Sequence, residues 1–92
     1  MKVVAVNHDV ADYDQWKAVF DEIPPKTMGA LFHRINRSVD DANNITVVAG
    51  FDTVDAARAF LNNADLKQAM GRAGVKSAPR MEIFEEVESV QY

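Results

Sequence analysis

The chain of 92 residues contains no cysteine. Disulfide bonds, thiolate metal sites and thiol nucleophiles are therefore excluded together. No apolar run approaches the ~20 residues needed to cross a bilayer, so no membrane partner is expected. The chain runs from Met1 straight into a strand with no signal-peptide pattern, which makes the cytoplasm the expected location.

Basic residues are also scarce. Ten Lys and Arg stand against 14 Asp and Glu, giving a formal charge of −4, and the basic residues are scattered singly. Because binding to phosphates needs a basic stripe or patch, no nucleic-acid partner is expected. Only 4 glycines and 3 prolines occur, with 48% hydrophobic and 26% charged residues. This composition predicts one folded domain over residues 1–92 with a small core.

The order of secondary-structure elements follows from hydrophobic spacing and from helix-capping residues. Strands are predicted over residues 2–8, 28–38, 44–51 and 80–90. Three helices are predicted: one between the N-cap Asp12 and Pro24, one from Thr53, and one from an Asp65 and Gln68 capping box to a cap at Gly74. The order predicts the α+β, ferredoxin-like β-α-β-β-α-β fold, with helices on one face of a four-stranded antiparallel sheet.

The predicted strands carry apolar residues on both faces. Val3 and Ala5 point to one side of the first strand, whereas Val4 and Val6 point to the other. Helices on one side leave the second face uncovered, and a monomer seldom tolerates a large apolar patch. We therefore expect a homodimer, sheet against sheet. The last strand carries several glutamates and is expected at an edge of the sheet, where charge discourages open-ended pairing.

Several segments carry a resemblance to a known family. They are HDVADYDQW at 8–16, FDE at 20–22, RS at 37–38, DD at 40–41, AARAFL at 56–61, LKQAM at 66–70 and RAGV at 72–75. This pattern resembles the dimeric α/β barrel superfamily, which includes antibiotic-biosynthesis-monooxygenase-like proteins and small cyclase-type proteins. The resemblance implies two sheets that pair into a barrel and a small apolar or aromatic ligand. Members of this superfamily include cofactor-independent oxygenases, haem-degrading proteins, isomerases and proteins without known activity.

The two histidines, His8 and His33, are the candidate catalytic residues. Each lies in or at the end of an apolar strand, where a neutral imidazole could remove a proton from an activated phenol or an enolisable carbon. The alternative is that each caps a strand or makes a hydrogen bond in the core. No metal site is expected, because two histidines without cysteines lack a defined third ligand.

Polar residues on the strands are the candidate ligand-binding residues. Arg34 and Asn36 share a strand face, and Thr46 could join them. The guanidinium could bind a ligand anion or pair with Glu82 or Glu86. The resemblance also implies Asn7 as a candidate, because an asparagine on the first strand contributes to the site of haem-degrading members of the superfamily. The histidine that binds iron in those relatives is missing from residues 64–75, so no cofactor is expected. Which strand face lines the interior stays open.

Two functions remain open. One is a cofactor-independent monooxygenase- or cyclase-like enzyme that acts on a small apolar or aromatic molecule. The other is a non-catalytic dimeric module for ligand binding or protein interaction. An enclosed pocket of a few hundred Å3 beside a histidine would favour the enzyme. Met28, Met70 and Met81 are candidates to line such a pocket or simply to fill gaps in the packing. The helical spacing of Tyr13 and Trp16 favours packing in the core.

Overall fold

The computed structural model describes residues 1–92 and contains four strands, three α-helices and one 3-10 turn over Pro25–Met28. The elements are β1 (Lys2–Asp9), α1 (Tyr13–Glu22), β2 (Phe32–Arg37), β3 (Asn44–Phe51), α2 (Val54–Leu61), α3 (Ala64–Arg72) and β4 (Arg80–Glu85). The strands form one antiparallel sheet in the order β2-β3-β1-β4. The predicted ferredoxin-like fold is confirmed, and β4 lies at an edge as expected. No helix is long and apolar enough to span a bilayer.

Two helix starts are fixed by capping side chains, at Asp12 as predicted and at Thr53, near which the second helix was predicted to begin. The Asp12 carboxylate accepts a hydrogen bond from the backbone N–H of Gln15 at 2.9 Å. The Thr53 hydroxyl accepts one from the N–H of Ala56 at 3.1 Å. Each side chain satisfies one of the amides that a helix leaves unpaired in its first turn. Capping therefore fixes where α1 and α2 begin.

Three predicted boundaries were wrong. The second strand begins at Phe32 rather than at residue 28, because the 3-10 turn occupies the preceding segment and ends at Gly29 with φ 92. Helix α3 is capped by Asn63 rather than Asp65, since its side-chain oxygen accepts from the N–H groups of Asp65 and Leu66. The last strand ends at Glu85, opposite Lys2, rather than at residue 90, and only the hydrogen bond from the N–H of Glu86 to the carbonyl of Met1 continues the pairing.

The C-terminal end of α3 is fastened to the end of β1. Gly74 adopts a left-handed φ of 79, and the N–H of Val75 reaches back to the carbonyl of Met70, which closes the helix. Val75 then forms a β-bridge with Val10, and the N–H of Lys76 donates to the carbonyl of Asp9 at 2.8 Å. The predicted cap at Gly74 thus also directs the chain toward the sheet.

The two faces of the sheet differ in their covering. On the helix face, Val4, Val6 and His8 of β1 are buried beneath the three helices. The opposite side, which we call the open face, has no covering element. The residues of the open face form three rows that run across β2, β3, β1 and β4. The apolar row is Phe32, Gly50, Val3 and Phe84; the middle row is Arg34, Val48, Ala5 and Glu82; the polar row is Asn36, Thr46, Asn7 and Arg80. The open face is therefore apolar at one end and polar at the other.

Candidate functional site

A cavity lies between α1 and α3, above the helix face of the sheet. Its walls are almost wholly apolar, and of its twelve lining residues only His8 is polar. The walls include Trp16 and Phe20 from α1, Phe60 from α2, and Leu66, Ala69 and Met70 from α3. Such an apolar lining favours an apolar or aromatic ligand.

The cavity volume is about 40 Å3. This is smaller than the few hundred Å3 expected of a ready-made ligand site, so the pocket that would favour an enzyme is not open in this conformation. A ring-sized ligand requires wall side chains to move. The unbranched Met70 and the half-buried Leu66 are suited to this, because neither is locked in the fully buried core.

His8 is the chemically distinctive group of the cavity. Its side chain is only 3% exposed, and neither ring nitrogen has a hydrogen-bond partner. Its ring lies 5.7 Å from that of Trp16. Burial lowers the pKa of His8, an effect that the nearby charge of Asp9 partly opposes. At neutral pH the imidazole is therefore uncharged and able to accept a proton.

An unpartnered polar group in the core is costly, and unsatisfied groups are few in folded proteins. His8 would be expected to hydrogen-bond if its role were only structural. From the sequence, a hydrogen bond of His8 within the core was an alternative to a catalytic role. The structure provides no partner for such a bond. A buried histidine with a shifted pKa beside a cavity is a feature typical of functional sites.

His8 makes the stability of the fold depend on pH. In the unfolded chain a histidine takes up its proton near pH 6.5, whereas folded His8 does so only at lower pH. The unfolded state then binds more protons, so we expect the free energy of unfolding to fall as the pH is lowered from about 7 to about 5. Urea titrations of the wild type and His8→Leu would check this. The variant should show a shallower slope, and equal slopes would contradict the expectation.

His33 lies on the same face of the sheet but outside the cavity. It is exposed on the edge strand β2, and its ring meets that of Phe20 edge-on at 5.2 Å. Phe20 in turn stacks on Trp16 at 5.0 Å. His33 therefore contacts the outside of a cavity wall, whereas His8 contacts the space within it.

The other predicted site residues all lie on the open face. The side-chain amide of Asn7 donates to the hydroxyl of Thr46 at 2.9 Å and to Asn44 at 3.1 Å. Asn36 is the neighbour of Thr46 in the same row. The structure thus brings Asn7, Asn36 and Thr46 together, and it places the sheet between them and both histidines.

Arg34 and Glu82 do not pair within the chain. They stand at opposite ends of the middle row, on β2 and β4. The guanidinium of Arg34 instead lies 4.4 Å from the centre of the Phe32 ring, and Glu82 accepts a hydrogen bond from Arg80 at 3.0 Å. A single cavity containing a histidine base and Arg34 is not found, because the two groups face opposite sides of the sheet.

The remaining candidates divide between core and cavity. Trp16 is buried in the core, as its spacing predicts, and also lines the cavity. Tyr13 packs against the same core cluster, as predicted, and its ring centre lies 4.0 Å from the guanidinium carbon of Arg37. Of the three methionines, Met70 lines the cavity, Met81 lines a separate groove, and Met28 packs only against the core. Sequence reasoning missed Phe60, Leu66 and Ala69 as cavity residues, since their helical spacing is equally that of core residues. No group of three or more potential metal-ligating side chains is present.

Solved structures with the same fold span nearly the whole chain. A protein from Caulobacter crescentus, provisionally described as an antibiotic biosynthesis monooxygenase, has a TM-score of 0.76 and 21% identity over 95% of this chain and 90% of its own. A similarly described protein from Deinococcus radiodurans has a TM-score of 0.74 and 13% identity over 100% and 98%. SnoaB from Streptomyces nogalater, a cofactor-independent oxygenase, has a TM-score of 0.72 and 18% identity over 99% and 98%.

The chain therefore has the fold of antibiotic-biosynthesis-monooxygenase-like proteins, in agreement with the resemblance of its sequence segments. No protein-family model and no curated protein sequence matches it. At such low identities the structural similarity establishes the fold, whereas any chemistry depends on the residues of this chain.

Proposed function

We propose that the protein is a cofactor-independent oxygenase or cyclase-like enzyme for a small apolar or aromatic molecule with an acidic O–H or C–H group. The observation that carries this proposal is the unpartnered imidazole of His8, the only polar group in an apolar cavity. The fold shared with SnoaB, described as a cofactor-independent oxygenase, supports it. His8 takes the role of general base.

The proposed chemistry needs only the substrate, dioxygen and a base. His8 accepts a proton from an enolisable CH2 group, and the resulting carbanion reacts with O2. One oxygen atom stays on carbon as a carbonyl. The other leaves as water with the proton returned by His8 and the second hydrogen of the CH2 group, so the substrate supplies all four electrons. Apolar walls favour this step, because a base that is poorly hydrated needs no water stripped from it before it reacts.

Oxygen uptake tests the proposal. A panel of small bicyclic phenols and enolisable aromatic ketones would be screened with an oxygen electrode. His8→Ala is expected to lower turnover of an active compound by about 10²- to 10⁴-fold, the usual contribution of a general base. His33→Ala is the matched control and should retain turnover, since His33 lies outside the cavity. Undiminished turnover in His8→Ala would reject the assignment of the base.

A non-catalytic ligand-binding module is the second candidate. The small cavity volume of about 40 Å3 and the lack of any second polar lining group favour it. The two functions separate in the same screen. A binding module would take up compounds from the panel without consuming oxygen or converting them to any product, and His8→Ala would change their affinity only slightly.

The open face is the proposed surface of a homodimer. Its apolar row, with Phe32 and Phe84 at the two ends, would gain most from being covered. The middle row has a cation, Arg34, at one end and an anion, Glu82, at the other. A two-fold axis parallel to the strands would place Arg34 opposite Glu82 of the partner subunit. The charges thus favour this axis over a perpendicular one, which would oppose like charges.

A further inference from the structure

A solvent-open groove runs along the other side of α3 from the cavity. It has a volume of about 420 Å3 and lies between α3, the segment that follows it, and β4. Its walls include Gly71, Val75 and Met81. Met70 lines both this groove and the cavity at His8, and no other residue does. The groove is on the helix side of the sheet, so a partner on the open face would leave it free.

We propose that Met70 is the gate through which a ligand passes from this groove into the cavity, and that its side chain sets how large a ring is admitted. The proposal rests on the proposed function in one respect, namely that the cavity at His8 receives a ligand. Met70 is the one side chain that lines both spaces, so its displacement is the change that would join them.

The chemistry of the side chain suits this role. Met70 is half-buried, and a thioether with three rotatable bonds changes shape at lower cost than a branched or aromatic side chain. Its neighbour Gly71 presents no side chain, and a Cβ placed there would meet nothing within 4 Å. The end of the methionine side chain therefore has free space on the groove side into which it can swing.

The gate can be observed through Trp16, the single tryptophan of the chain, which lines the cavity and is 3% exposed. The probes are nitrobenzene and the larger 1-nitronaphthalene, two apolar rings that lack an acidic proton and quench indole fluorescence on contact. Stopped-flow quenching gives their association rates. Three variants are compared. Met70→Ala shortens the side chain between the cavity and the groove, Leu66→Ala enlarges only the cavity, and Met81→Ala enlarges only the groove.

We expect Met70→Ala to raise the association rate of 1-nitronaphthalene by about tenfold, equivalent to about 1.4 kcal/mol less cost of displacing the gate. The rate for nitrobenzene should rise less, so that discrimination between the two rings falls. Leu66→Ala and Met81→Ala should stay within about threefold of the wild type. Met70→Val, which keeps more of the buried surface, serves as a second variant and should show the same trend if Met70→Ala folds poorly.

Several results would overturn the gate. An equal or larger acceleration in Leu66→Ala would place access between α1 and α3 instead. Unchanged rates in both Met70 variants, or no quenching of Trp16 in any variant, would also reject it. Quenching with the expected pattern but no oxygen uptake from any acidic compound would count against the proposed chemistry alone, because neither probe has a proton for His8 to remove.

Discussion

Replacing Val48 with aspartate is expected to convert a dimer into a monomer or to unfold the protein. Val48 lies half-buried in the middle row of the open face, beside Ala5 of β1. If a second copy covers this face, the carboxylate would be enclosed without a partner, at a cost of several kcal/mol. Light scattering at micromolar concentration would show a mass near twice 10.2 kDa for the wild type and a loss of that species in Val48→Asp.

The matched control is Val39→Asp, the same change at a turn residue that is 100% exposed. It should leave both the mass and the far-UV circular dichroism unchanged. A wild type that scatters as a monomer of 10.2 kDa would contradict the dimer. So would a Val48→Asp protein that keeps the wild-type mass, because no closely packed interface could then include the centre of the open face.

Replacing Phe51 with alanine is expected to remove much of the stability of the fold. Phe51 is 0% exposed, and its ring lies 5.2 Å from that of Phe60 at an angle of 41°. Loss of a fully buried phenylalanine costs about 3–5 kcal/mol, against a total of about 5–15 kcal/mol for a typical domain. The melting temperature followed by circular dichroism should fall by about 15 °C or more.

The effect should be large because the core has only one layer. Both clusters of buried apolar residues join the helices to the same face of the sheet, so few other contacts compensate for a cavity at Phe51. Tyr92→Ala is the control, since that aromatic ring is fully exposed. A fall of less than about 5 °C in Phe51→Ala would show that the surrounding side chains collapse into the space.

The order of the elements was predictable because its determinants are local. Asp12 and Thr53 cap their helices with their own side chains. Gly74 adopts a left-handed backbone conformation that other amino acids rarely adopt. Where a boundary depended on a distant segment, the prediction was wrong. The pairing of β4 with β1 stops at Glu85, opposite Lys2, and nothing in the composition of residues 86–90 indicates this.

The arrangement of the candidate site was less predictable for a related reason. Strands that are apolar on both sides give no indication of which side meets the helices, and a shift of one residue exchanges the faces. His8 and Arg34 could therefore be imagined in one cavity, although the pairing register places them on opposite faces. The cavity itself depends on how closely Leu66 and Met70 pack, and helical spacing does not encode this.

The end of α3 is fastened to the strand that carries His8. Val75 and Lys76, which follow the helix, are bonded to Val10 and Asp9, the residues that directly follow His8. The backbone of the helix cannot separate from the sheet at this end without breaking the β-bridge and its hydrogen bonds. The wall beside the imidazole would therefore adapt to a ligand through side chains such as Met70, and not through displacement of the helix.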